Sequence, residues 1–471
     1  MSQRLLTELH RVFDTQGEIS DEACRNIAGN LGLTQAHVAG VASFYSLFTD
    51  GPVSPILYEI GVATTQETRI LLPDTPTGEA ESFDAYVSRG GYEGLKKALS
   101  APDQVISTVS DARLRGRSGA YFPVGLKWDL VKKSPSDRKY VVCNACEAEP
   151  GTGKDYVLLC STPHAVIEGM EIAACAVGAT RCVLYIREGY DKAFKAMSTA
   201  IDEARKNGSL PTEIEVITGA GAYVTGEETG LLDSIEGRRG EPRIKPPFPV
   251  EKGLWQVPTI INNVETFANV PLIIRQGSSS FRKIGTEKCP GTKLFTLSGC
   301  VKKPGVYEFA TGLPLRKIYE AAGGCLEGRQ LKGVQIGGGG SGAIVGIDAL
   351  DIAMDPDSCE AAGLTLGTGS LLFFDDRVSV VEMCRDCAAF YLEESCGKCT
   401  PCREGNRRVW DTLTGLLNGS AGPDSLKQLA QMADYISEST LCSLGQMSMT
   451  ATKSAMKNFR EEFERCIGGL Q

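Results

Sequence analysis

Residues 395–405 read Ser395-Cys396-Gly397-Lys398-Cys399-Thr400-Pro401-Cys402-Arg403-Glu404-Gly405, with three cysteines at C-x2-C-x2-C spacing. Cys442 lies forty residues beyond Cys402. Four thiolates complete the ligand set of a cubane iron–sulfur cluster, and three neighbouring ligands with one distant ligand are typical of such clusters. Structural zinc more often takes its sulfurs from two C-x2-C knuckles. The spacing therefore predicts one [4Fe–4S] cluster on these four cysteines, and the alternative is four unrelated buried cysteines.

The composition excludes several classes of function. At 471 residues we expect more than one domain. The net charge of −9 gives no basic footprint for nucleic acid, and no run of about 18 apolar residues predicts a membrane span. Seventeen cysteines without an export signal indicate a reducing compartment, so we expect the protein in the cytoplasm. Only three histidines occur, and their scatter argues against histidine-based metal or triad chemistry.

The run 394–405 closely resembles the cluster-binding loop of the flavin-containing, NADH-oxidising (51-kDa-type) subunit of respiratory complex I. Soluble hydrogenases and NAD-linked formate dehydrogenases carry relatives of that subunit. In the family, the fourth cluster ligand follows in a short loop like Leu441-Cys442-Ser443-Leu444-Gly445. The resemblance implies three cofactors, namely FMN, the [4Fe–4S] cluster and NAD(H) or NADP(H). It also implies partner redox subunits in a hetero-oligomeric complex.

Residues 1–48 are predicted to be a helical docking segment. Ser20-Asp21-Glu22 is a plausible helix start, and Thr34 caps a further helix. The end of this block, residues 38–45, looks like the helical part of the small subunit that partners the flavoprotein. In that family a thioredoxin-like domain with four cluster cysteines follows, whereas here only Cys24 precedes Cys143 and residues 49–89 are too short to replace it. We therefore expect 49–89 to be a linker and the segment to dock without a metal.

From Gly90 the resemblance to the flavoprotein is continuous, and it implies an FMN- and NAD-binding α/β domain over 90–283. Residues 114–128 form a glycine-rich stretch in which backbone N–H groups can approach a phosphate, with charge added by Arg117 and Lys127. The stretch is not G-x-G-x-x-G, so the dinucleotide fingerprint does not apply. Taken alone, it could also be an ordinary tight turn.

Alternating strands and helices should bring the other loops to the same edge. A buried strand at 139–146 delivers Asn144, Glu147 and Glu149 at its carboxyl end, where open α/β sheets bind ligands. A later strand, 214–217, leads into 219–229, which matches the family's second flavin loop. Its paired acids can accept hydrogen bonds from ribityl or ribose hydroxyls, but they also suit a helix N-terminus.

The resemblance assigns residues to the flavin and the nicotinamide at matching places, with Glu149 at the catalytic position. The cofactor-binding residues that it implies are Arg117, Gly119, Phe122, Lys127, Asn144, Glu147, Glu149, Tyr223, Gly226, Glu227, Glu228, Lys245, Phe248, Asn262, Asn263 and Thr266.

Four positions depart from the family pattern around the nicotinamide. Leu130 stands where an adenine-stacking aromatic is usual, and Ser118 and Tyr121 replace glycines of the first loop. Cys146 stands where the family usually has aspartate. A tyrosine ring in place of glycine could fill the space that the nicotinamide needs over the flavin.

The remaining residues should form two smaller domains. Strand and turn segments surround one helix in 284–377, which resembles the β-grasp-like domain that follows the flavin domain in the family. Within it, the glycine-rich run 337–342 is expected to be a turn. Residues 378–471 are predicted to be a helical bundle that carries the cluster. In this bundle Cys384 and Cys387 lie one helical turn apart, and we expect them to pack inward.

The sequence therefore predicts an α/β electron-input subunit that passes hydride from NAD(P)H to FMN and single electrons to the cluster. One rival is a flavin and iron–sulfur subunit of a larger reductase that no longer binds nicotinamide. A second rival is a structural scaffold with an inert cluster.

Overall fold

The chain divides into two units in a computed structural model that describes residues 5–45, 59–73 and 78–467. The first unit comprises Met1–Tyr58, Arg69–Ala148 and Gly153–Gly291, and the second comprises Glu59–Thr68, Glu149–Thr152 and Thr292–Gln471. Part of the predicted linker, and the ends of the predicted docking segment at 1–4 and 46–48, lie outside the described residues.

A four-stranded parallel sheet forms the centre of the first unit. Its strands are β1 (Tyr140–Ala145), β2 (Arg181–Ile186), β3 (Glu213–Thr218) and β4 (Thr259–Asn263), in the order β3-β2-β1-β4. The predicted strands at 139–146, 181–186 and 214–217 are confirmed. Val141, Val142 and Cys143 have no exposed surface, because helices cover both faces of a parallel sheet.

Helices precede the sheet and connect its strands. They are α4 (Phe83–Ser88), α5 (Glu93–Ser100), α6 (Pro102–Asp111), α7 (Val124–Lys133), α8 (Lys154–Ser161), α9 (Pro163–Val177), α10 (Asp191–Lys206), α11 (Glu228–Ile235), α12 (Pro249–Lys252), α13 (Val264–Gln276) and α14 (Ser278–Phe281), where α1–α3 are the N-terminal helices described next. Helices α9 and α13 pack closely because Gly169 lacks a side chain, and a Cβ there would collide with the Phe267 carbonyl.

Three N-terminal helices pack on this unit. They are α1 (Leu5–Gln16), α2 (Asp21–Leu31) and α3 (Gln35–Ala42), and Ser20 and Thr34 cap α2 and α3 as predicted. His10 Nε2 lies 3.1 Å from the Gly219 carbonyl oxygen. The Tyr45 hydroxyl, fully buried, donates to the Arg238 carbonyl at 2.9 Å. The docking surface of the helices is thus the chain's own flavin unit.

The second unit contains a five-stranded mixed sheet and one crossing helix. Its strands are β5 (Thr292–Gly299), β6 (Gly305–Ala310), β7 (Leu331–Ile336), β8 (Ala343–Gly346) and β9 (Ser370–Asp375), in the order β6-β5-β9-β7-β8. Strands β5 and β9 are parallel, and the other pairs are antiparallel. Helix α15 (Leu315–Ala321) follows β6, and α16 (Pro356–Ala361) precedes β9. This arrangement agrees with the predicted β-grasp-like fold.

A helical bundle packs on the end of that sheet. Its helices are α17 (Val380–Glu394), α18 (Thr400–Leu417), α19 (Ser425–Ser439), α20 (Ser443–Met447), α21 (Thr450–Asn458) and α22 (Arg460–Arg465). Ile344 and Phe374 of the sheet share one apolar core with the bundle, and Cys384 and Cys387 lie in that core, as the inward-facing stripe predicts. Across the described ranges, the helices include none with the length and apolar character needed to span a bilayer.

Candidate flavin and cluster sites

The predicted flavin residues gather at the carboxyl edge of the parallel sheet, where the strand order reverses. From β1 the chain adds β2 and β3 on one side and β4 on the other, so the crevice lies between β1 and β4. Such a switch point is where open α/β sheets bind ligands. Asn144 and Asn263 are paired in register across this boundary.

Asn144 joins the loops that follow β1 and β3. Its Nδ2 donates to the Gly226 carbonyl at 2.9 Å, and its Oδ1 accepts from the Cys146 backbone N–H at 3.0 Å. Cys146 Sγ in turn lies 3.2 Å from Thr225 Oγ1. The cysteine that replaces the usual aspartate therefore contributes to the same loop junction.

Two lysines and two glutamates form a half-buried charge cluster beside these loops. Lys245 Nζ lies 2.8 Å from both Glu227 Oε1 and Glu228 Oε1, and Lys127 Nζ lies 3.6 Å from Glu228 Oε2. Burial would raise the pKa of Glu228, but the two lysines outweigh it and the pKa is lowered. Burial likewise lowers the pKa of Lys245, and Glu228 and Glu227 reverse this into a net rise. The cluster is thus ionised at neutral pH.

Glu227 also serves as a helix cap. Its carboxylate accepts from the Thr229 and Gly230 backbone N–H groups at 2.8 and 2.9 Å, at the start of α11. Both interpretations of the paired acids therefore apply: Glu227 caps a helix, while Glu228 faces the lysines.

Lys127 and Asn262 are fixed from β4. Lys127 Nζ donates to the Ile261 carbonyl at 3.1 Å, and Trp128 Nε1 donates to Asn262 Oδ1 at 2.9 Å. The Lys127 side chain keeps 20% of its surface exposed, so its ammonium group can also meet a phosphate. Gly119 has φ of 130°, a conformation that a larger residue rarely adopts.

Arg117 does not present its charge to solvent. The residue has no exposed surface, and its guanidinium donates to the Pro290 carbonyl at 2.6 Å and to Cys289 Sγ at 3.3 Å. Its backbone N–H donates to Thr266 Oγ1 at 2.9 Å. Arg117 and Thr266 therefore hold the glycine-rich stretch against α13, and the expected charge contact with a phosphate falls to Lys127.

Sequence reasoning missed a buried ionic network beneath the two asparagines. Lys154 Nζ lies 2.6 Å from Asp155 Oδ1 and 3.1 Å from Glu265 Oε2, and it donates to Asn263 Oδ1 at 2.9 Å. Asn263 Nδ2 donates to Asp155 Oδ2 at 2.6 Å. Because buried charges are costly unless paired, this network fixes the amide orientation of Asn263. A lysine and an aspartate that open a helix directly after a glycine-rich turn were the available signal.

Glu147 belongs to the same buried region. Its carboxylate accepts from the Asp155 and Tyr156 backbone N–H groups at 2.8 and 3.0 Å and from the Tyr190 hydroxyl at 3.0 Å. Burial, reinforced by Asp155, raises the pKa of Glu147. The predicted ligand contact of Glu147 thus meets a side chain that is already bound by the protein.

Apolar side chains line up near the charge cluster. Phe122, Leu126 and Leu130 succeed one another at four-residue spacing and are 43%, 49% and 45% exposed. Phe248 is 49% exposed, whereas Tyr121 is only 4% exposed and has φ of 49°. Tyr223 is half-buried in a single helical turn, Tyr223–Gly226. Rings suited to stacking on a base are therefore accessible, and the tyrosine that replaces glycine is buried.

Glu149 is found in the second unit, in a setting that the sequence did not predict. Its Oε1 accepts from the Gly340 and Ser341 backbone N–H groups at 3.0 and 2.9 Å. The run 337–342, expected to be a simple turn, thus grips a carboxylate. The same run is braced by Gln335, whose Nε2 donates to the Gly339 carbonyl at 3.1 Å.

The four predicted cluster cysteines gather at the ends of bundle helices. Cys399 and Cys442 precede α18 and α20 as their N-cap residues, and Cys402 lies in the first turn of α18. Burial raises the pKa of Cys402 to about 11; the Ser395 hydroxyl opposes this, and the Cys399, Cys442 and Cys396 thiols add to it. All four thiols therefore share one neighbourhood, with helix N-termini that favour an anionic centre.

Polar groups surround Cys402. Ser395 Oγ lies 3.3 Å from its Sγ, and Asn406 Nδ2 donates to the same sulfur at 3.4 Å. Within the described residues, no three metal-binding side chains already surround a single metal-sized point. The ligands of a cubane bind different iron atoms, so this site does not require such convergence. The donor set, four thiols with hydrogen-bond donors to sulfur, fits a [4Fe–4S] cluster.

Comparison with known families covers most of the chain. Residues 109–272 match the Nuo51 FMN-binding domain, and residues 382–466 match the NADH-ubiquinone oxidoreductase-F iron–sulfur binding region. Residues 1–70 match the thioredoxin-like [2Fe–2S] ferredoxin family, and residues 294–348 match the SLBB domain.

Individual relatives agree with these matches. A second F-type NADH-quinone oxidoreductase subunit of Rhizobium meliloti is 43% identical over 406 residues, which span 84% of this chain and 96% of that protein. NADP-reducing hydrogenase subunit HndC of Solidesulfovibrio fructosivorans is 40% identical, over 86% of this chain and 85% of that protein. A chain of the NAD+-reducing [NiFe]-hydrogenase in the H2-reduced state superimposes with a TM-score of 0.85 at 27% identity, covering 99% of this chain and 93% of that chain. The fold class and the resemblance seen in the sequence are confirmed, and this chain belongs to the family of the flavin-containing, F-type subunits of NADH-quinone oxidoreductases, with FMN and a [4Fe–4S] cluster as its cofactors.

Proposed function

We propose that this chain is the electron-input subunit of a multi-subunit oxidoreductase that oxidises NAD(P)H and works beside other redox subunits in the cytoplasm. The observation that carries the proposal is the convergence of four separate loops at the β1/β4 switch point. FMN supplies the conversion between a two-electron donor and one-electron carriers. The four cysteines at 396, 399, 402 and 442 are the proposed ligands of the cluster.

The chain's own residues have distinct roles in this proposal. Lys127 meets the flavin phosphate, while Asn144, Asn262 and Asn263 present fixed amides to the ribityl chain and ring. The exposed rings of Phe122 and Phe248 stack on the nucleotide. Lys245, held by two glutamates, orients the polar part of the nucleotide.

Glu149 is the proposed catalytic position. Two backbone N–H donors fix one of its carboxylate oxygens, so the other end of the group has a defined direction from which to orient the nicotinamide. A Glu149→Gln variant should raise KM for the nicotinamide without loss of flavin. Unchanged KM in that variant would remove Glu149 from the site.

A second candidate function follows from Tyr121. A bulky residue in a left-handed conformation reshapes the first loop where the family has glycine, and this favours a flavin subunit that no longer takes nicotinamide. Against it, the Tyr121 ring is 4% exposed and so does not project into solvent, whereas the stacking rings remain accessible.

An anaerobic titration decides between the two candidates. Wild type, Tyr121→Gly and Tyr121→Phe are each titrated with NADH and NADPH while the flavin absorbance is followed. NAD(P)H oxidation predicts bleaching in wild type and in the Phe variant. Bleaching only after Tyr121→Gly would show that the pocket is closed to nicotinamide and would establish the second candidate.

A further inference from the structure

Two cysteines of the second unit face each other away from the cluster. Cys300 follows the end of β5, and Cys325 follows the turn after α15. Cys325 Sγ lies 3.2 Å from Cys300 Sγ. Cys359, a buried thiol of the same unit, instead approaches the Ala353 carbonyl at 3.9 Å. The close thiol pair is therefore a local feature rather than a general result of cysteine content.

The backbone around the pair holds both cysteines in place. Val301 and Cys325 form an antiparallel bridge, and the Leu326 N–H donates to the Cys300 carbonyl at 3.0 Å. The Lys302 N–H donates to the Gly324 carbonyl at 3.1 Å, where Gly324 adopts a left-handed φ of 69° to complete the turn. Because the two segments are already paired, a bond between the sulfurs would require little backbone movement.

The two thiols differ in their access to solvent. Cys300 is 7% exposed, and Cys325 is half-buried. Burial raises the pKa of Cys300 to about 12, with further increases from the Cys325 thiol and from Asp375. The buried thiol is thus held protonated, and the more accessible thiol is the one that an incoming reagent reaches first.

We propose that Cys300 and Cys325 form a reversible dithiol–disulfide site that exchanges with small-molecule disulfides. The Cys325 thiolate attacks one sulfur of the reagent, forms a mixed disulfide and releases the first small thiol. Cys300 then attacks Cys325 Sγ, forms the internal disulfide and releases the second small thiol. Two electrons pass from the protein sulfurs to the reagent, and the two protein protons end on the released thiols.

The test uses the intact protein with its cofactors, kept anaerobic in buffers of reduced and oxidised glutathione. Free thiols are trapped by alkylation, and the protein is digested with trypsin. Cys300 falls in the peptide 294–302 and Cys325 in the peptide 318–329. In oxidising buffer the two alkylated peptides should be lost and replaced by one linked peptide, and dithiothreitol should restore them.

Three variants isolate the mechanism. In Cys300→Ser, the glutathione adduct should accumulate on Cys325, because the resolving thiol is missing. In Cys325→Ser, both adduct and linked peptide should be lost, while Cys359→Ser should give the wild-type linked peptide. Two results would overturn the proposal: no linked peptide from wild type at any buffer ratio, or a wild-type adduct on Cys325 as persistent as that of Cys300→Ser.

Discussion

Asn263 donates from Nδ2 to the backbone carbonyl of Asn144 at 3.3 Å, so the carboxyl ends of two neighbouring parallel strands are tied side by side. One asparagine contacts the loop after β3, and the other contacts the buried lysine. The flavin edge is therefore connected both to its loops and to the ionic network under it.

Asn144→Ala should weaken flavin binding. The change removes the hydrogen bonds to Gly226 and Cys146, each worth about 1 kcal/mol, so we expect FMN affinity to fall roughly ten- to thirtyfold. Acid release and quantification of flavin per chain measure the effect during dilution. Asn207→Ala, at an exposed helix end of the same unit, is the control and should keep its flavin.

Lys245→Met should separate nucleotide binding from turnover. Glu227 and Glu228 each lose a partner at 2.8 Å, and the pKa of Glu228 should rise because one of its two lysines is gone. Since the Lys245 side chain is 29% exposed, we expect a modest rise of about three- to tenfold in KM, with kcat within about twofold. Steady-state kinetics with an artificial acceptor test this. Lys252→Met, on the exposed side of α12, should leave both constants unchanged.

Cys442→Ala should remove the cluster. Purified wild type is expected to hold about four iron and four labile sulfide per chain, and the variant should lose most of both. Cys466→Ala is the matched control, because Cys466 is also half-buried in the bundle but donates to the Glu462 carbonyl at 3.3 Å. Tightly bound zinc without labile sulfide in wild type would contradict the cluster assignment.

Glu171→Gln should stabilise the protein at alkaline pH. Glu171 has no exposed surface, and burial raises its pKa to about 8, against hydrogen bonds from Thr212 that lower it. Between the unfolded pKa of about 4.5 and this value, the folded state binds more protons than the unfolded state, so the free energy of unfolding falls as pH rises. The glutamine should recover about 3–5 kcal/mol above about pH 8 and gain little below about pH 5. Denaturant unfolding at several pH values measures the difference, and Glu213→Gln, exposed on β3, should show none.

Tyr45→Ala should loosen the N-terminal helices. A fully buried ring and its hydrogen bond to Arg238 are lost together, at a cost of about 3–5 kcal/mol. Tyr45→Phe keeps the ring and should cost only about 1 kcal/mol. Limited proteolysis of residues 5–45 reports the loosening. Equal protection in both variants would show that the helices do not depend on this contact.

The sequence was most informative where spacing or periodicity dictates structure. The cluster cysteines, the strand at β1 and the helix starts at Ser20 and Thr34 could each be predicted from a short local pattern. Glu149 and the run 337–342 could not be connected in this way, because almost two hundred residues separate a carboxylate from the N–H groups that bind it. Arg117 shows a second limit, since sequence gives its charge but not the direction of a side chain that folds inward.

The packing of α1–α3 on the flavin unit has a consequence for dilution. A docking element supplied by a separate polypeptide leaves its site as the protein concentration falls below the dissociation constant. Here the helices and their surface belong to one chain, so their local concentration is set by the connecting segment and not by the amount of protein present. The loop at Gly219–Gly221, which precedes the flavin-site residues Gly226 and Glu227, is therefore covered in a fixed one-to-one ratio at any dilution.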